Sequence, residues 1–563
     1  MSELPLWLIP AAPLVLALVL YLPGVAAVVR ALVALAPLPA LMMAYGDAAP
    51  LRLDWLLLGT DLAITDIARP FLVLTALLWA LAGWQLTRLL ADHPAKTKTT
   101  LYFLLAMSGN LGLLIAQDMA SFYTFFAMMS LASWGLVLHG GGAAQIFAGR
   151  VYVTLAIIGE IALFAGLTMG SFAMNDLQMS AMAGADVPPS ALALVCLGFL
   201  IKLGAVPLHV WLPLAHAAAP APASAVLSGA MLKAGLFGLI LVLPLGQTAL
   251  PGFALAFAVM AVAGLVLALV LGLVQGDPKA VLAYSSIGQM SLILLGLAAA
   301  LAAPDAWVLI APALVLLALN HAFAKAALFL GVPVVWSTKR GGLRIAVLAL
   351  MALPALSLTG VPGTNGGLAK SALKTALEGA PDSWALWLGT AFFIASFGTG
   401  VLMIRAVVLL ADAPHKPEIA RDVALPWSIM SGLVVFGLAL AGVAGGGADA
   451  APLADYYPLA SALLAALLVV FVFQRSRLRL TPVTPGELLG LFVQDESAAQ
   501  DPVAPVAGKS GTAIGVTRGK RSKLRPERGA LAILCIAATL VLITALSPTT
   551  PVAPPPAAPE AVE

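Results

Sequence analysis

Long apolar runs separated by short polar connections fill the chain from its first residues to about position 474. A helix needs roughly 17–25 mainly apolar residues to cross a bilayer. Runs of that kind lie near 4–22, 25–45, 67–90, 99–117, 119–138, 150–170, 189–206, 217–243, 252–274, 279–303, 306–335, 343–360, 384–411, 424–445, 456–474 and 529–546. They predict about 14 to 16 membrane helices, some of them broken or merged, because only helices and closed barrels satisfy their backbones in lipid. The expected fold class is an all-α polytopic membrane protein.

Composition agrees with the pattern. Of 563 residues, 61% are hydrophobic and 10% are charged, against about 25% charged in an average soluble domain. Mean hydropathy is +1.03. Met1-Ser2-Glu3 supplies no basic n-region, so 4–22 is read as the first membrane helix and not as a cleaved signal. Cys196 and Cys535 fall in separate apolar runs without CxxC or Cys/His spacing, which predicts packing residues. Basic residues occupy alternate connections, at Arg88/Lys96/Lys98, Arg150, Lys279, Lys339/Arg340/Arg344, Lys416/Arg421 and Arg475/Arg477/Arg479. The positive-inside rule places these in the cytoplasm and the N-terminus outside. Residues 475–528 are polar and end in RGKRSKLRPER, a cytoplasmic linker whose basic end lies near anionic lipid headgroups; the Pro/Ala-rich tail 547–563 is expected to be disordered.

Seven ionisable residues remain inside the apolar runs: Glu160, Lys202, Lys233, His321, Lys325, Lys370 and Lys374. Each costs about 2.5–3.5 kcal/mol at a helix centre on insertion scales, and such residues face a bundle interior, a partner or water. A static Glu160–Lys202 ion pair, or lysines snorkelling at helix ends, would account for single cases. Lysines recurring in four or more segments point instead to proton relay. A desolvated lysine loses its proton readily, a nearby carboxylate restores it, and histidine passes protons near neutral pH. His321 and Lys325, and likewise Lys370 and Lys374, stand at i and i+4 and so share helix faces.

Prolines cluster beside the lysines. Pro207, Pro213, Pro220 and Pro222 follow Lys202, and Pro362-Gly363 precedes Lys370. Proline interrupts a helix, and irregular backbone at membrane depth is tolerated only inside protein or against water. Two such interruptions in separate halves predict a transporter built on inverted repeats, with its sites at the breaks.

The strings FLIKLGAVPLHVWLPLAHAAAPAPASAVLSGAMLKAG, GDPKAVLAYSSIGQMSLILLG and NHAFAKAALFLG resemble the antiporter-like membrane subunits shared by respiratory complex I, Mrp-type cation/proton antiporters and membrane-bound hydrogenases. The resemblance runs over roughly 100–410. It implies a 14-helix core with two inverted five-helix repeats, each containing a broken helix, plus here an extra C-terminal helix. The organisation would be N-terminal helices 1–98, a first repeat 99–243, a second repeat 252–411, core helices 424–474, the linker 475–528, a final helix 529–546 and the tail 547–563. Breaks are expected near Pro207 and Pro362-Gly363. By motif, Lys202 is similar to the central lysine of the first broken helix and Lys233 to the lysine after it. His321 and Lys325 match the relay pair, and Lys370 matches the lysine of the second break; His209 and His216 are secondary candidates, and Lys374 has no assigned role.

Two departures stand out. The family carries a glutamate in a stretch similar to FFELMSLSSY, where this chain reads FFAMMSLASW with Ala127 at that place; Glu160, one segment later, is expected to replace it as the partner of Lys202. GTNGGLAK stands where relatives have an aromatic-containing run, which loosens the second break. The resemblance implies a proton-conducting subunit of a multisubunit complex in a bacterial cytoplasmic (inner) membrane. Its partners would be other membrane subunits, lipids and protons, with Na⁺ or K⁺ as an exchanged ion left open. A scaffold subunit that has lost the switch, and one part of a two-part bicarbonate or cation transporter, stand as alternatives.

A metalloenzyme built on His209 and His216 is disfavoured: they lie seven apart across Pro213 with no carboxylate or cysteine to complete a site. No GxGxxG after a strand and no cluster cysteines occur, so no cofactor, metal or nucleic acid is expected, and the reading is a transport subunit without a redox centre of its own.

Overall fold

The computed structural model describes residues 5–46, 48–184, 187–440 and 457–465. In order, the helices are α1 (Leu8–Val19), α2 (Ala26–Leu32), α3 (Leu38–Ala44), α4 (Ala68–Leu89), α5 (Lys96–Ile115), α6 (Met119–Val137) and α7 (Ala143–Met174). Then come α8 (Ala181–Gly184), α9 (Pro189–Leu203), α10 (Trp211–Ala218), α11 (Ala221–Val226), α12 (Leu232–Val242), α13 (Pro251–Leu273), α14 (Pro278–Ala302) and α15 (Trp307–Ser337). The last are α16 (Gly342–Thr359), α17 (Asn365–Ala376), α18 (Ala385–Asp412) and α19 (Ala424–Leu440). Among the described residues, 11 helical spans are long and apolar enough to cross a membrane, and α1, α9 and the apolar part of α19 are shorter apolar helices. The linker 475–528, the helix expected at 529–546, the tail 547–563 and Cys535 lie outside the described residues, as does most of 456–474.

The bundle is apolar on its outer face as well as inside, and its buried polar and charged side chains sit scattered in an otherwise apolar interior. Leu255, Val259, Val262, Val266 and Val270 make an exposed stripe along α13, at the three- and four-residue spacing of one helix face. Helix α15, buried from its middle to its C-terminal end, touches α4, α11, α14, α16, α17 and α19. This is a multi-pass membrane fold.

Several expectations gain detail. The run 25–45 corresponds to one candidate span, Ala26–Ala44, within which a 3₁₀ turn at Val33–Leu35 separates α2 from α3 ahead of Pro37 and Pro39, where the helix loses backbone donors. The run 217–243 does not start a helix at 217, because residues to Ala218 finish α10 and Pro220 begins α11. Beside the all-α bundle lies a small antiparallel ribbon, β1 (Leu51–Leu53) with β2 (Thr60–Leu62). Arg52 holds it through Asp54 and Asp61, Gln178 donates to Asp61 at 2.7 Å, and Asp118, the N-cap of α6, accepts from the Asp61 and Ser121 amides.

Both broken helices end in the same way. Gly204 closes α9 with φ +73, donating to Ile201 O while Ala205 donates to Leu200 O. Gly360 closes α16 with φ +88, donating to Ser357 O while Val361 donates to Leu356 O. Each is a Schellman termination, which a left-handed glycine makes cheaply. Proline follows within three residues, at Pro207 and Pro362, and stops the helix from resuming.

Candidate functional site

At the first break, α9 carries Lys202 two residues before Gly204, and α7 brings Glu160 to the same place. The two side chains line one small cavity with Phe126, Ser130, Tyr152 and Trp211. It offers about 20 Å³ to water centres, and one water needs about 10–15 Å³. The Lys202 ammonium lies 5.5 Å from the Phe126 ring centre and 6.0 Å from that of Tyr152. Such ring faces favour a cation. The static Glu160–Lys202 ion pair is absent: among the described residues, salt bridges form only at Arg52–Asp54, Arg52–Asp61 and Arg88–Asp422. Glu160 Oε2 is buried without a hydrogen-bond partner. Ala127, by contrast, does not line the cavity. Trp211 Nε1 donates to Ile201 O at 2.9 Å and Tyr152 Oη to Ser130 O at 3.0 Å, which fixes the cavity walls across the break.

The middle of the bundle gathers Lys233, His321 and Lys325. A π turn at Leu227–Met231 joins α11 to α12, a distortion that often marks functional positions. Lys233 Nζ donates to Ser228 O at 2.8 Å and reaches His321 Nδ1 on α15. With Nδ1 accepting from the ammonium, the imidazole carries its hydrogen on Nε2, which is buried and unpartnered. Lys325, one turn on, donates to Leu282 O of α14 at 2.7 Å. So the i, i+4 pair shares a buried face yet meets two different helices.

At the second break, Lys370 on α17 donates to Thr359 O at 3.0 Å and to Ser396 Oγ on α18 at 3.1 Å. Its aliphatic stem fills the space that a glycine leaves: a Cβ on Gly360 would sit 2.5 Å from Lys370 Cδ. Buried polar side chains also pair across these helices: Ser357 Oγ donates to Asn320 Oδ1 at 2.6 Å and Gln289 Nε2 to Thr399 Oγ1 at 2.9 Å. Glu160, Lys202, Lys233, His321, Lys325 and Lys370 are each at most 7% exposed.

Three candidates stand apart. Lys374 is exposed although Leu373 and Ala376 beside it on α17 are buried, and so the shared face expected of that pair is not buried throughout. His209 packs edge-on to Tyr284, 6.4 Å between ring centres, and His216 stacks on Phe329 at 4.8 Å. Neither hydrogen-bonds a lysine among the described residues, and both nitrogens of His216 are unpartnered.

Sequence reasoning missed Lys279, taken as a loop residue that reports orientation. It is buried, and its ammonium donates to Ala217 O at 2.8 Å and Ala219 O at 2.7 Å, capping the end of α10. It also missed the buried, paired hydroxyl and amide groups of Asn320, Ser357, Gln289 and Thr399, because Ser, Thr, Asn and Gln cost too little in an apolar helix to stand out. AYSSIGQMS, four polar side chains in one apolar run, was the available signal.

The transmembrane family described as "NADH:quinone oxidoreductase/Mrp antiporter, TM" matches residues 116–399, half of the chain. A NAD(P)H-quinone oxidoreductase chain 4 of Thermosynechococcus vestitus is 31% identical over 261 residues, 43% of this chain and 46% of the relative. NADH-quinone oxidoreductase subunit N of Desulforudis audaxviator is 28% identical over 415 residues, 68% of this chain and 81% of the relative. The chain spans about half the length of the chain 4 relatives it matches. In fold, 82% of the chain superposes on 99% of a chain of the membrane-bound sulfane sulfur reductase, an archaeal respiratory membrane complex, with a TM-score of 0.64 and 22% identity.

Proposed function

We propose, for a chain that belongs to the NADH:quinone oxidoreductase/Mrp antiporter transmembrane family, that it conducts protons as one membrane subunit of a multisubunit complex. The observation that carries this reading is the row of buried ionisable groups from the Glu160–Lys202 cavity, through Lys233, His321 and Lys325, to Lys370. No structural economy explains four buried lysines in one row, faced by one carboxylate and neutral acceptors. A proton relay does, because the Lys233, Lys325 and Lys370 ammoniums are held by carbonyl, hydroxyl or imidazole groups, and that of Lys202 by ring faces, all of which tolerate both the charged and the neutral form. In this reading Glu160 modulates Lys202 across the cavity through its water, without a direct ion pair. Movement of one relative to the other changes how strongly Lys202 holds its proton. Pro207 and Pro362 mark the breaks that admit water.

The test is proton flux into liposomes carrying the native complex, driven by a K⁺ diffusion potential and read with an entrapped pH dye. Lys202→Met and Glu160→Gln should each lower flux by about a hundredfold, the scale of a lost acid–base group. Wild-type flux in both would end the relay reading. It would favour instead a scaffold that has lost its switch, which the alanine at position 127 and the unformed ion pair support.

A further inference from the structure

The run GTNGGLAK, expected to loosen the second break, packs it shut instead. A helix leaves its first amides without partners in its own ladder, and the side chains around α17 meet them. Gly366 N donates to Ser357 Oγ at 3.1 Å, and Gly367 N to Thr364 Oγ1 at 3.1 Å. Asn365 Nδ2 donates to Val434 O at 2.7 Å and Val435 O at 2.9 Å, which ties the same turn to α19. The approach is close enough to require glycine: a Cβ on Gly366 would run into the Ser357 carbonyl, and one on Gly367 into that of Val361. Gly366 and Lys370 stand at i and i+4 and share a helix face. That face of α17 meets the end of α16 twice, through Gly366 on Ser357 and through Lys370 on Thr359 O.

Ser357 also reaches a third helix. Its hydroxyl accepts from Gly366 N and donates at 2.6 Å to Asn320 Oδ1 on α15, the residue before His321. A hydroxyl has one hydrogen to give. Thr359 and Ser291 give theirs back to carbonyls four residues earlier in their own helices, whereas Ser357 gives its hydrogen to α15. Asn320, Ser357 and Gly366 are all buried. Two hydrogen bonds in series thus join the helix that carries His321 and Lys325 to the one that carries Lys370.

We infer that Asn320 and Ser357 are positioning residues of the relay: the Asn320–Ser357–Gly366 joint holds α17 in register with α15 and so sets where Lys370 stands relative to His321 and Lys325. The inference rests on the proton-conduction reading above and adds what aligns the middle of the row with its far end. Neither residue carries the proton. Removing the Ser357 hydroxyl frees Gly366 N and Asn320 Oδ1 together, and a buried group left unpaired is costly. The turn of α17 then shifts on the left-handed glycines of the break, Gly360 at φ +88 and Gly363 at φ +82, and Lys370 moves with it.

A buried hydrogen bond also serves stability alone, and the test must separate the two roles. Flux per assembled complex is measured in liposomes carrying the native complex. Ser357→Ala is expected to lower it about tenfold, within the roughly hundredfold that a misplacement of about 1 Å can cost. Ser357→Thr keeps the hydroxyl and should restore most of the loss. Asn320→Ala should match Ser357→Ala, and the double variant should be no worse than either, because one joint is broken only once. Wild-type flux per complex in Ser357→Ala, even with poorer assembly, overturns the inference and leaves the joint a structural contact. Equal losses in Ser357→Thr and Ser357→Ala, or losses that multiply in the double variant, overturn it as well. Lys370→Met separates the two levels of the argument: if it is inactive while Ser357→Ala conducts normally, only the positioning role is wrong, whereas wild-type flux in Lys370→Met removes the relay and its joint together.

Discussion

At the scale of single residues, burial and not spacing decides which lysines belong to the row. Lys370 and Lys374 have the same chemistry and lie one turn apart, yet only Lys370 is buried and bonded, to Thr359 O and Ser396 Oγ. Lys370→Met is accordingly expected to lower proton flux by about a hundredfold, while Lys374→Met stays near the wild-type rate; equal losses would contradict the placement. The sequence marked both lysines, because an i, i+4 spacing defines a helix face without saying what that face meets. It misjudged Lys279 for a related reason. A lysine beside Asp277-Pro278 looks like a loop residue, and only the approach of α10 turns its ammonium inward onto two carbonyls.

At the scale of elements, the two breaks are terminated alike but tolerate change differently. Ala at either glycine forces an L residue into the left-handed region, at about 1–2 kcal/mol. At Gly204 the new Cβ would meet only Leu212, at 3.5 Å, whereas at Gly360 it would collide with the Lys370 stem. Gly204→Ala is therefore expected to lower thermal stability with flux largely kept, and Gly360→Ala to lower both. The opposite ranking of flux would show that Lys370 does not depend on that space. These terminations were readable in part. Pro207 and Pro362 announced interruption, but the capping residues are the glycines of GAVP and GVP, and a lone glycine in an apolar helix does not declare the sign of its φ.

At the scale of the whole molecule, the ends of the bundle respond to pH. The folded state holds His139 near 4, below its ordinary 6.5, so it favours the neutral ring. Above about 6.5 the folded and unfolded chains both carry neutral His139, and its contribution to stability is fully present. As pH falls from there towards 4, the unfolded chain takes up a proton that the folded one refuses, and stability is lost. The melting temperature of the purified protein should fall over that interval, and His139→Gln should flatten the fall; an unchanged slope would show that the ring is not the cause.

What the sequence by itself determined is whatever a helix can settle alone: the membrane class, most spans to within a few residues, the positions of both breaks, and the buried lysines as candidates. Hydrophobic length, proline and the cost of a charge in lipid are local terms, and they leave local marks. The tertiary structure decided what those charges face. It put Glu160 and Lys202 on one cavity without an ion pair, and brought Lys233 of α12 to His321 of α15, 88 residues away. It also turned Lys279 from a topological marker into a buried cap beside His216. Such pairings depend on how helices from distant parts of the chain pack, and no period or composition within one segment encodes which neighbour it will meet.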